Sequence, residues 1–261
     1  MITQETDADS IRLLDYLGRE AVYNSFLISD IQNYGFDKPY QQVYAKRGTT
    51  LDYEGVYLKY YNNLILAGEP EALDIPFVTK LAAQGVDTIM GKVELVRPVS
   101  AALSSDSCFS EKSLYSLKRV DKLPPSDSRV KIAGLKDVDE IYEFLMRIPS
   151  FRQTYCVKEM IINRIQKNEG MHCFIRGEKG IIAHANSAAR TNWTNMLGGI
   201  AVEPQYRGKG LATSVTACLC REILSKNREP CVFSEVPEDH SLFVRLGFEE
   251  IGKWGVAQIK H

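Results

Sequence analysis

The sequence lacks the features that mark membrane, secreted and nucleic-acid-binding proteins. No apolar run approaches the roughly 20 residues that a helix needs to span a bilayer. The residues Met1 to Asp7 lack the basic start and apolar core of a signal peptide. Lys and Arg number 32 against 33 Asp and Glu, so the charge balance favours neither nucleic acid nor an anionic membrane as a partner. We therefore expect a cytoplasmic protein that binds neither.

Metal-binding patterns are also missing from the sequence. The four histidines are scattered over positions 172, 184, 240 and 261, and the six cysteines form no Cys-x-x-Cys pair. We therefore expect no metal cofactor, and we interpret the cysteines as free thiols that are buried or half-buried.

The hydrophobic pattern indicates two halves with the same order of elements. Leu123 to Ser128, with two prolines, interrupts regular structure and is interpreted as a linker. On each side of it the pattern predicts two helices, then antiparallel strands, then a helix and a strand. We predict an α/β (α+β) protein with domains at residues 1–122 and 129–261, joined by a linker at 123–128. Because few residues match between the halves, two unrelated α/β domains remain the alternative.

The most informative stretch is a strand, a glycine-containing basic loop and a helix. Leu197 to Val202 is an apolar run typical of a strand, and Pro204 ends it because proline has no amide hydrogen to donate. A helical pattern of apolar residues starts at Leu211. Between them, glycines allow close approach of the backbone, and the helix start supplies unpaired amides and partial positive charge. This combination is typical of a phosphate-binding loop.

The loop is not one of the two common nucleotide-binding loops. It lacks the Gly-Lys-Ser/Thr ending of a P-loop, and its glycines do not fit the GxGxxG of a dinucleotide fold. Gln205 to Gly210 instead resembles the Q/R-x-x-G-x-G/A loop of the GCN5-related N-acetyltransferase (GNAT) superfamily. Further along, Leu242 to Phe248 resembles the LYxKLGF motif near that family's C-terminus. The alternative is an ordinary strand, loop and helix with incidental surface charges.

The resemblance implies a fold, a cofactor and a set of binding residues. It implies two GNAT-like domains, each with a mixed, mostly antiparallel central sheet flanked by helices. It implies that acetyl-CoA binds to the second domain as co-substrate, with its pyrophosphate in the loop and its pantetheine arm along the preceding strand. The implied binding residues are Ala201, Val202, Gln205, Arg207, Gly208, Lys209, Gly210, Leu211, Ala212 and Thr213.

The corresponding stretch of the first half is different. After the apolar run that ends at Ala67 the chain continues Gly68-Glu69-Pro70-Glu71, with two carboxylates where the second half has Arg and Lys. Carboxylates would repel a pyrophosphate. We therefore interpret residues 1–122 as a degenerate domain that does not bind CoA, as in tandem acetyltransferases in which only one half keeps its cofactor loop.

The candidates for proton transfer are less specific. In the family, the tyrosine of LYxKLGF commonly protonates the departing thiolate, but that position is Phe243 here. Either the thiolate leaves unassisted or a neighbour serves, and His240 is the nearest titratable candidate; a surface histidine is the alternative. Glu235, at the end of a predicted strand, is our candidate base. Glu203, His184 or a water chain could take that role.

Acceptor recognition in this family usually falls to the loop between the first two helices. Here that loop runs from Pro149 to Tyr155, and Arg152 and Tyr155 could bind a carboxylate or phosphate of the acceptor. The alternative is a plain connector.

The sequence as a whole predicts an N-acetyltransferase, a monomer or homodimer. It would transfer an acetyl group directly to a primary amine of a small molecule or peptide in a ternary complex. Two alternative functions remain. Because the tyrosine is missing, the protein could be a non-catalytic acyl-CoA-binding or regulatory module. Because tandem halves can enclose longer substrates, it could instead transfer a larger acyl group.

Overall fold

A computed structural model describes residues 1–49, 52–103, 107–235 and 242–260. The chain divides into two compact units. The first comprises Met1–Leu114, Phe233–Glu235 and the C-terminal segment from Ile251; the second comprises Tyr115–Val232 and the segment that ends at Glu250. Within the described ranges, no helix combines the length and the apolar character that crossing a membrane requires.

The first unit is a mixed sheet with helices against both faces. Its strands are β1 (Ile2–Gln4), β2 (Asp37–Lys38), β3 (Gln41–Arg47), β4 (Tyr53–Tyr60), β5 (Asn63–Gly68), β6 (Thr88–Lys92), β7 (Ser107–Ser116) and β13 (Glu249–Ile259). Their order in the sheet is β1-β3-β4-β5-β6-β13-β7, with β2 paired to β3. Its helices are α1 (Ser10–Gly18), α2 (Ser25–Tyr34), α3 (Ile75–Ala82) and α4 (Val93–Ala102).

Alternating side chains of this sheet fill two cores. Val43, Val56 and Ile65 pack with Leu13 and Leu27 of helices α1 and α2. Residues that point to the opposite face, including Leu64 and Ile89, pack with helices α3 and α4. This alternation follows from the period of two in a strand.

The second unit has the same layered plan. Its strands are β8 (Lys131–Ile132), β9 (His172–Gly177), β10 (Gly180–Ala188), β11 (Thr194–Val202) and β12 (Glu229–Ser234), in the order β12-β11-β10-β9-β8. Its helices are α5 (Val138–Arg147), α6 (Lys158–Gln166), α7 (Leu211–Leu224) and the short α8 (Leu242–Arg245). Strands β8 to β11 pair antiparallel, and β11 pairs with β12 in parallel.

The two faces of the second sheet are covered by different helices. Cys173 and Ile175 pack on the face covered by α7, and Phe174, which lies between them in β9, packs with α5 and α6. The predicted fold class, an α/β protein with a mixed, mostly antiparallel sheet flanked by helices, is confirmed.

The division of the chain differs from the predicted one at several places. Residues 115–122, predicted in the first domain, belong to the second unit, and Phe233–Glu235, predicted in the second domain, belong to the first unit. The stretch 123–128 is part of the second unit, because Leu123 is buried in its core and Asp127 accepts hydrogen bonds from Arg129 and Ser214. The last strand, β13, belongs largely to the first unit, where it pairs with β6 from Trp254–Lys92 to Gln258–Thr88.

Candidate functional site

The loop between β11 and α7 has the backbone that its glycines predict. A short 3-10 helix, Pro204–Tyr206, follows β11, and α7 begins at Leu211. Gly208 and Gly210 have φ angles of +75° and +74°, values that side-chain-bearing residues rarely adopt. A Cβ atom built on either glycine would meet no described atom within 4 Å, so the space beside the loop is open.

The amides of residues 208 to 213, in the second half of this loop and the first turn of α7, donate to no acceptor among the described residues. The first helical hydrogen bond runs from the Ser214 amide to the Gly210 carbonyl at 3.0 Å. The amides of Leu211, Ala212 and Thr213 therefore have no partner within the helix. Unpaired amides at the start of a 14-residue helix attract an anion, and the helix dipole adds to the attraction.

Two cations flank these amides. The Nε of Arg207 donates to the Val202 carbonyl at 3.2 Å, which holds the arginine beside the end of β11. The Nζ of Lys209 lies 5.2 Å from the centre of the Tyr206 ring. Both side chains belong to exposed residues, so they can reach a ligand without losing a buried partner.

A cavity of about 530 Å³ lies directly beside the loop. Eight of the ten predicted cofactor-binding residues form part of its wall: Ala201, Val202, Arg207, Gly208, Gly210, Leu211, Ala212 and Thr213. Gln205 and Lys209 do not, and both are exposed. The remaining wall is Ile148, Ser150, Phe151, Ile200, Tyr206, Leu242 and Arg245. The wall therefore combines two arginines and several backbone amides with apolar side chains.

Within the described part of the chain, the end of strand β11 that lines this cavity has no partner strand on one edge. Its parallel pairing with β12 runs only from Thr194–Glu229 to Met196–Cys231, although β11 continues to Val202. On the other edge, the Glu203 amide donates to the Ile182 carbonyl at 2.9 Å. Because successive amides of a strand point in opposite directions, the Val202 amide points away from β10, toward the edge without a partner strand. An extended ligand could pair with the strand there.

The corresponding region of the first unit is closed. Strands β5 and β6 pair from Asn63–Thr88 to Leu66–Gly91, and a Cβ on Gly91 would lie 2.5 Å from the Leu66 carbonyl oxygen. The start of α3 is occupied by its own cap, since Asp74 accepts from the Phe77 amide at 2.9 Å. Pro76 removes another amide from the first turn. The start of α3 therefore offers fewer unpaired amides to an anion than the start of α7 does.

Of the two predicted catalytic residues, Glu235 is among the described residues, and it is not one of those that line the cavity. Glu235 is counted with the first unit, its side chain is 70% exposed, and it pairs with Lys112 at 2.9 Å. The predicted role of Glu235 as a base has no support in this position. His240 lies outside the described residues, as does its neighbour Ser241.

The alternatives for proton transfer have defined surroundings. Glu203 pairs with Arg147 at 2.9 Å. His184 is fully buried and bonds to the Gly199 carbonyl, and burial lowers its pKa to about 4. A buried neutral imidazole with a structural partner is a core histidine rather than a base in the cavity. Phe243 packs edge-on against Phe248, with ring centres 5.5 Å apart.

The two predicted acceptor-binding residues have structural partners instead. The Nε of the exposed Arg152 donates to the Met146 carbonyl at 2.9 Å. Tyr155 is 5% exposed, and its hydroxyl lies 3.2 Å from Oδ1 and 2.9 Å from Nδ2 of Asn186. The predicted segment does reach the cavity, but through Ser150 and Phe151.

Arg245 is a second arginine in the cavity wall, and it was not among the predicted binding residues. It occupies the lysine position of the LYxKLGF motif, which could have identified it. No group of three or more His, Cys, Asp or Glu side chains within the described ranges is placed to hold a metal ion.

Comparisons with known proteins agree with the fold. Residues 162–257 match the family model for GNAT acetyltransferases. A tandem GNAT protein from the clavulanic acid biosynthesis pathway is 11% identical with a TM-score of 0.63, covering 99% of this chain and 98% of that one. A GCN5-related N-acetyltransferase from Kribbella flavida is 13% identical with a TM-score of 0.61, covering 91% and 96%. A Drosophila protein is 14% identical with a TM-score of 0.67, covering 99% and 98%. No curated protein matches the sequence.

Proposed function

We propose that this chain is a tandem acetyltransferase of the GNAT type that transfers an acetyl group from acetyl-CoA to an amine. The match of residues 162–257 to the GNAT acetyltransferase model and the fold shared with a tandem GNAT protein support this proposal. The observation that carries the proposal is the open loop at Gly208 and Gly210, with its unpaired amides and Arg207. The donor diphosphate binds there, and the cavity beside the loop receives the rest of the donor.

The binding energy of the distant diphosphate positions the reacting thioester. The pantetheine arm pairs with the free edge of β11, and the Val202 amide donates to the thioester carbonyl, where negative charge develops in the transition state. This role for Val202 is supported by the direction of its amide, away from β10.

The thiolate of CoA leaves without a tyrosine acid, because Phe243 has no proton to give. A thiol with a pKa of about 8.5 is a fair leaving group, so the reaction does not require such an acid. The amine loses its proton to water or to Glu203, which is next to the cavity residue Val202 and is 23% exposed in its side chain.

A second candidate function is transfer of a longer acyl group. The wall formed by Ile148, Phe151, Ile200 and Leu242 is apolar and could hold additional methylene groups. Phe243, at the position of the family's tyrosine, packs against Phe248 and has no proton to give. A non-catalytic acyl-CoA-binding module is therefore a further alternative.

Release of free CoA thiol decides between an enzyme and a binding module. Acetyl-CoA should release thiol only when an amine from a panel of small-molecule and peptide amines is added. The variant Arg207→Glu with Gly208→Trp should release none at the same donor concentration, because the diphosphate site is both filled and negatively charged. Thiol release that is independent of the amine, or equal in the variant, would reject this function. Butyryl- and octanoyl-CoA in the same assay test the longer-acyl alternative.

A further inference from the structure

Strand β11 contains a bulge immediately before the residues that line the cavity. Between the pairs His184–Ala201 and Asn186–Gly198, only Ala185 in β10 lies opposite two residues, Gly199 and Ile200, in β11. The Gly199 φ angle is +56°, in the left-handed region. An extra residue on one strand turns the following residues, so this bulge sets the direction of the cavity-lining end of β11.

A chain of buried hydrogen bonds ends on the bulge. Nδ1 of His172 lies 2.9 Å from Nε2 of His184, and Nδ1 of His184 lies 2.8 Å from the Gly199 carbonyl oxygen. Both histidines are completely buried. They lie on the sheet face that α5 and α6 cover, where Phe144 packs against the His184 ring.

The carbonyl fixes the protonation of both rings. A carbonyl only accepts, so His184 must carry its hydrogen on Nδ1. A neutral His184 then has a bare Nε2, which can only accept, and His172 must donate to it from Nδ1. Burial keeps both imidazoles neutral by lowering the pKa of each. His172 thereby holds His184 in the tautomer that donates to Gly199.

A second pair of side chains closes the other side of the bulge. A Cβ atom on Gly199 would lie 2.8 Å from Nδ2 of Asn186 and 2.9 Å from the Tyr155 hydroxyl. Asn186 and Tyr155 hydrogen-bond to each other and are both buried. Gly199 is therefore held by His184 at its carbonyl and packed against the Asn186–Tyr155 pair at its Cα.

Buried polar groups cost free energy unless they are paired, and here several of them surround the backbone of Gly199. That position lies three residues before Val202. We propose that His184, kept in one tautomer by His172, is a positioning residue that fixes the β11 bulge and so aims the Val202 amide into the cavity. This inference rests on the proposed function, since the aimed amide is the one that meets the thioester arm.

The test compares ligands that use different parts of the site. Acetyl-CoA spans the loop and the edge of β11, whereas ADP offers a diphosphate for the loop but has no pantetheine arm. His184→Leu should raise the Kd for acetyl-CoA about tenfold, the equivalent of one lost hydrogen bond, and leave the Kd for ADP unchanged. His184→Asn keeps a donor near the Nδ1 position and should recover most of the lost affinity. His172→Leu should produce the same selective loss to a smaller extent.

Ile175→Ala is the matched control, because Ile175 is buried in the neighbouring strand β9 but on the opposite face of the sheet. It should lower the stability of the chain and leave the ratio of the two Kd values unchanged. An His184→Leu variant that is folded and binds acetyl-CoA like the wild type would overturn the inference. So would equal losses for acetyl-CoA and ADP, or a failure of asparagine to restore affinity. A wild-type chain that binds no acetyl-CoA would instead reject the proposed function.

Discussion

At the scale of single residues, the second unit combines exposed charges with buried neutral histidines. Arg207 and Lys209 lie on the surface and are free to meet an anion. His172 and His184 are enclosed and are neutral because burial lowers the pKa of each.

Because His184 is buried and neutral, we expect the free energy of unfolding to fall in weak acid. The pKa of His184 is about 4 in the folded chain and about 6.5 in the unfolded chain. Below pH 6.5, His184 therefore binds a proton in the unfolded chain but stays neutral in the folded chain. The free energy of unfolding should therefore fall as the pH drops from 6.5 toward 4. At pH 5, the loss from His184 alone is on the order of 2 kcal/mol.

Urea denaturation at pH 7 and pH 5 checks this expectation. His184→Leu lacks the titrating ring, so its stability should change less between the two pH values than that of the wild type. Taking the difference between the two proteins cancels groups that do not contact His184, among them Asp30, whose pKa is raised to about 7 by burial. An identical pH dependence in both proteins would mean that His184 is not held neutral by the fold.

Residue patterns predicted some parts of the site and not others. The glycines and Arg207 could be placed because the backbone conformation of the loop is specified locally. Tyr155 could not, because its role depends on Asn186, a partner 31 residues away. Glu235 was placed at a strand end correctly, but the sequence does not specify that its side chain pairs with Lys112.

At the scale of elements, local periodicity predicted the helices and the strand that leads into the loop. It could not predict that the last strand completes the first unit, because the partner of a strand is chosen by tertiary packing. Trp254 of β13 lies in the core that the first sheet forms with helices α1 and α2. The centre of its ring is 6.4 Å from that of Phe26 and 5.2 Å from that of Phe233. Residues 1–122 alone therefore lack part of their own core.

Strand β13 gives a stability prediction for the first unit. Trp254→Ala should lower the free energy of unfolding by about 3 to 5 kcal/mol, because it removes a buried aromatic side chain and leaves a cavity. Ile251→Ala, in the same strand but at a 36% exposed position, should cost well under 1 kcal/mol. Chemical denaturation of the two full-length variants compares them directly. Equal effects would contradict the assignment of β13 to this core.

At the scale of the whole molecule, two units share one plan and differ at the site. The first unit has a closed β5–β6 pair and a helix start capped by Asp74. Among the described residues of the second unit, the end of β11 has an edge without a partner strand, and the start of α7 has no side-chain cap. The repeated order of elements was readable from the sequence. In the sequence, only Glu69 and Glu71 indicated that the first unit differs from the second at this site. The separation of neighbouring strands is a property of the folded sheet, so residue patterns could not predict it.

The central claim is that a diphosphate binds to the loop of the second unit, and calorimetric titration with acetyl-CoA tests it most directly. The wild-type chain should bind one acetyl-CoA, and Arg207→Glu with Gly208→Trp should weaken binding at least ~100-fold through loss of charge-assisted hydrogen bonds. Gly85→Trp is the matched control, since Gly85 also has a positive φ angle and open space beside it but lies in the first unit. Full affinity in that control and loss in the double variant are predicted. Unchanged binding in a folded double variant would contradict the account.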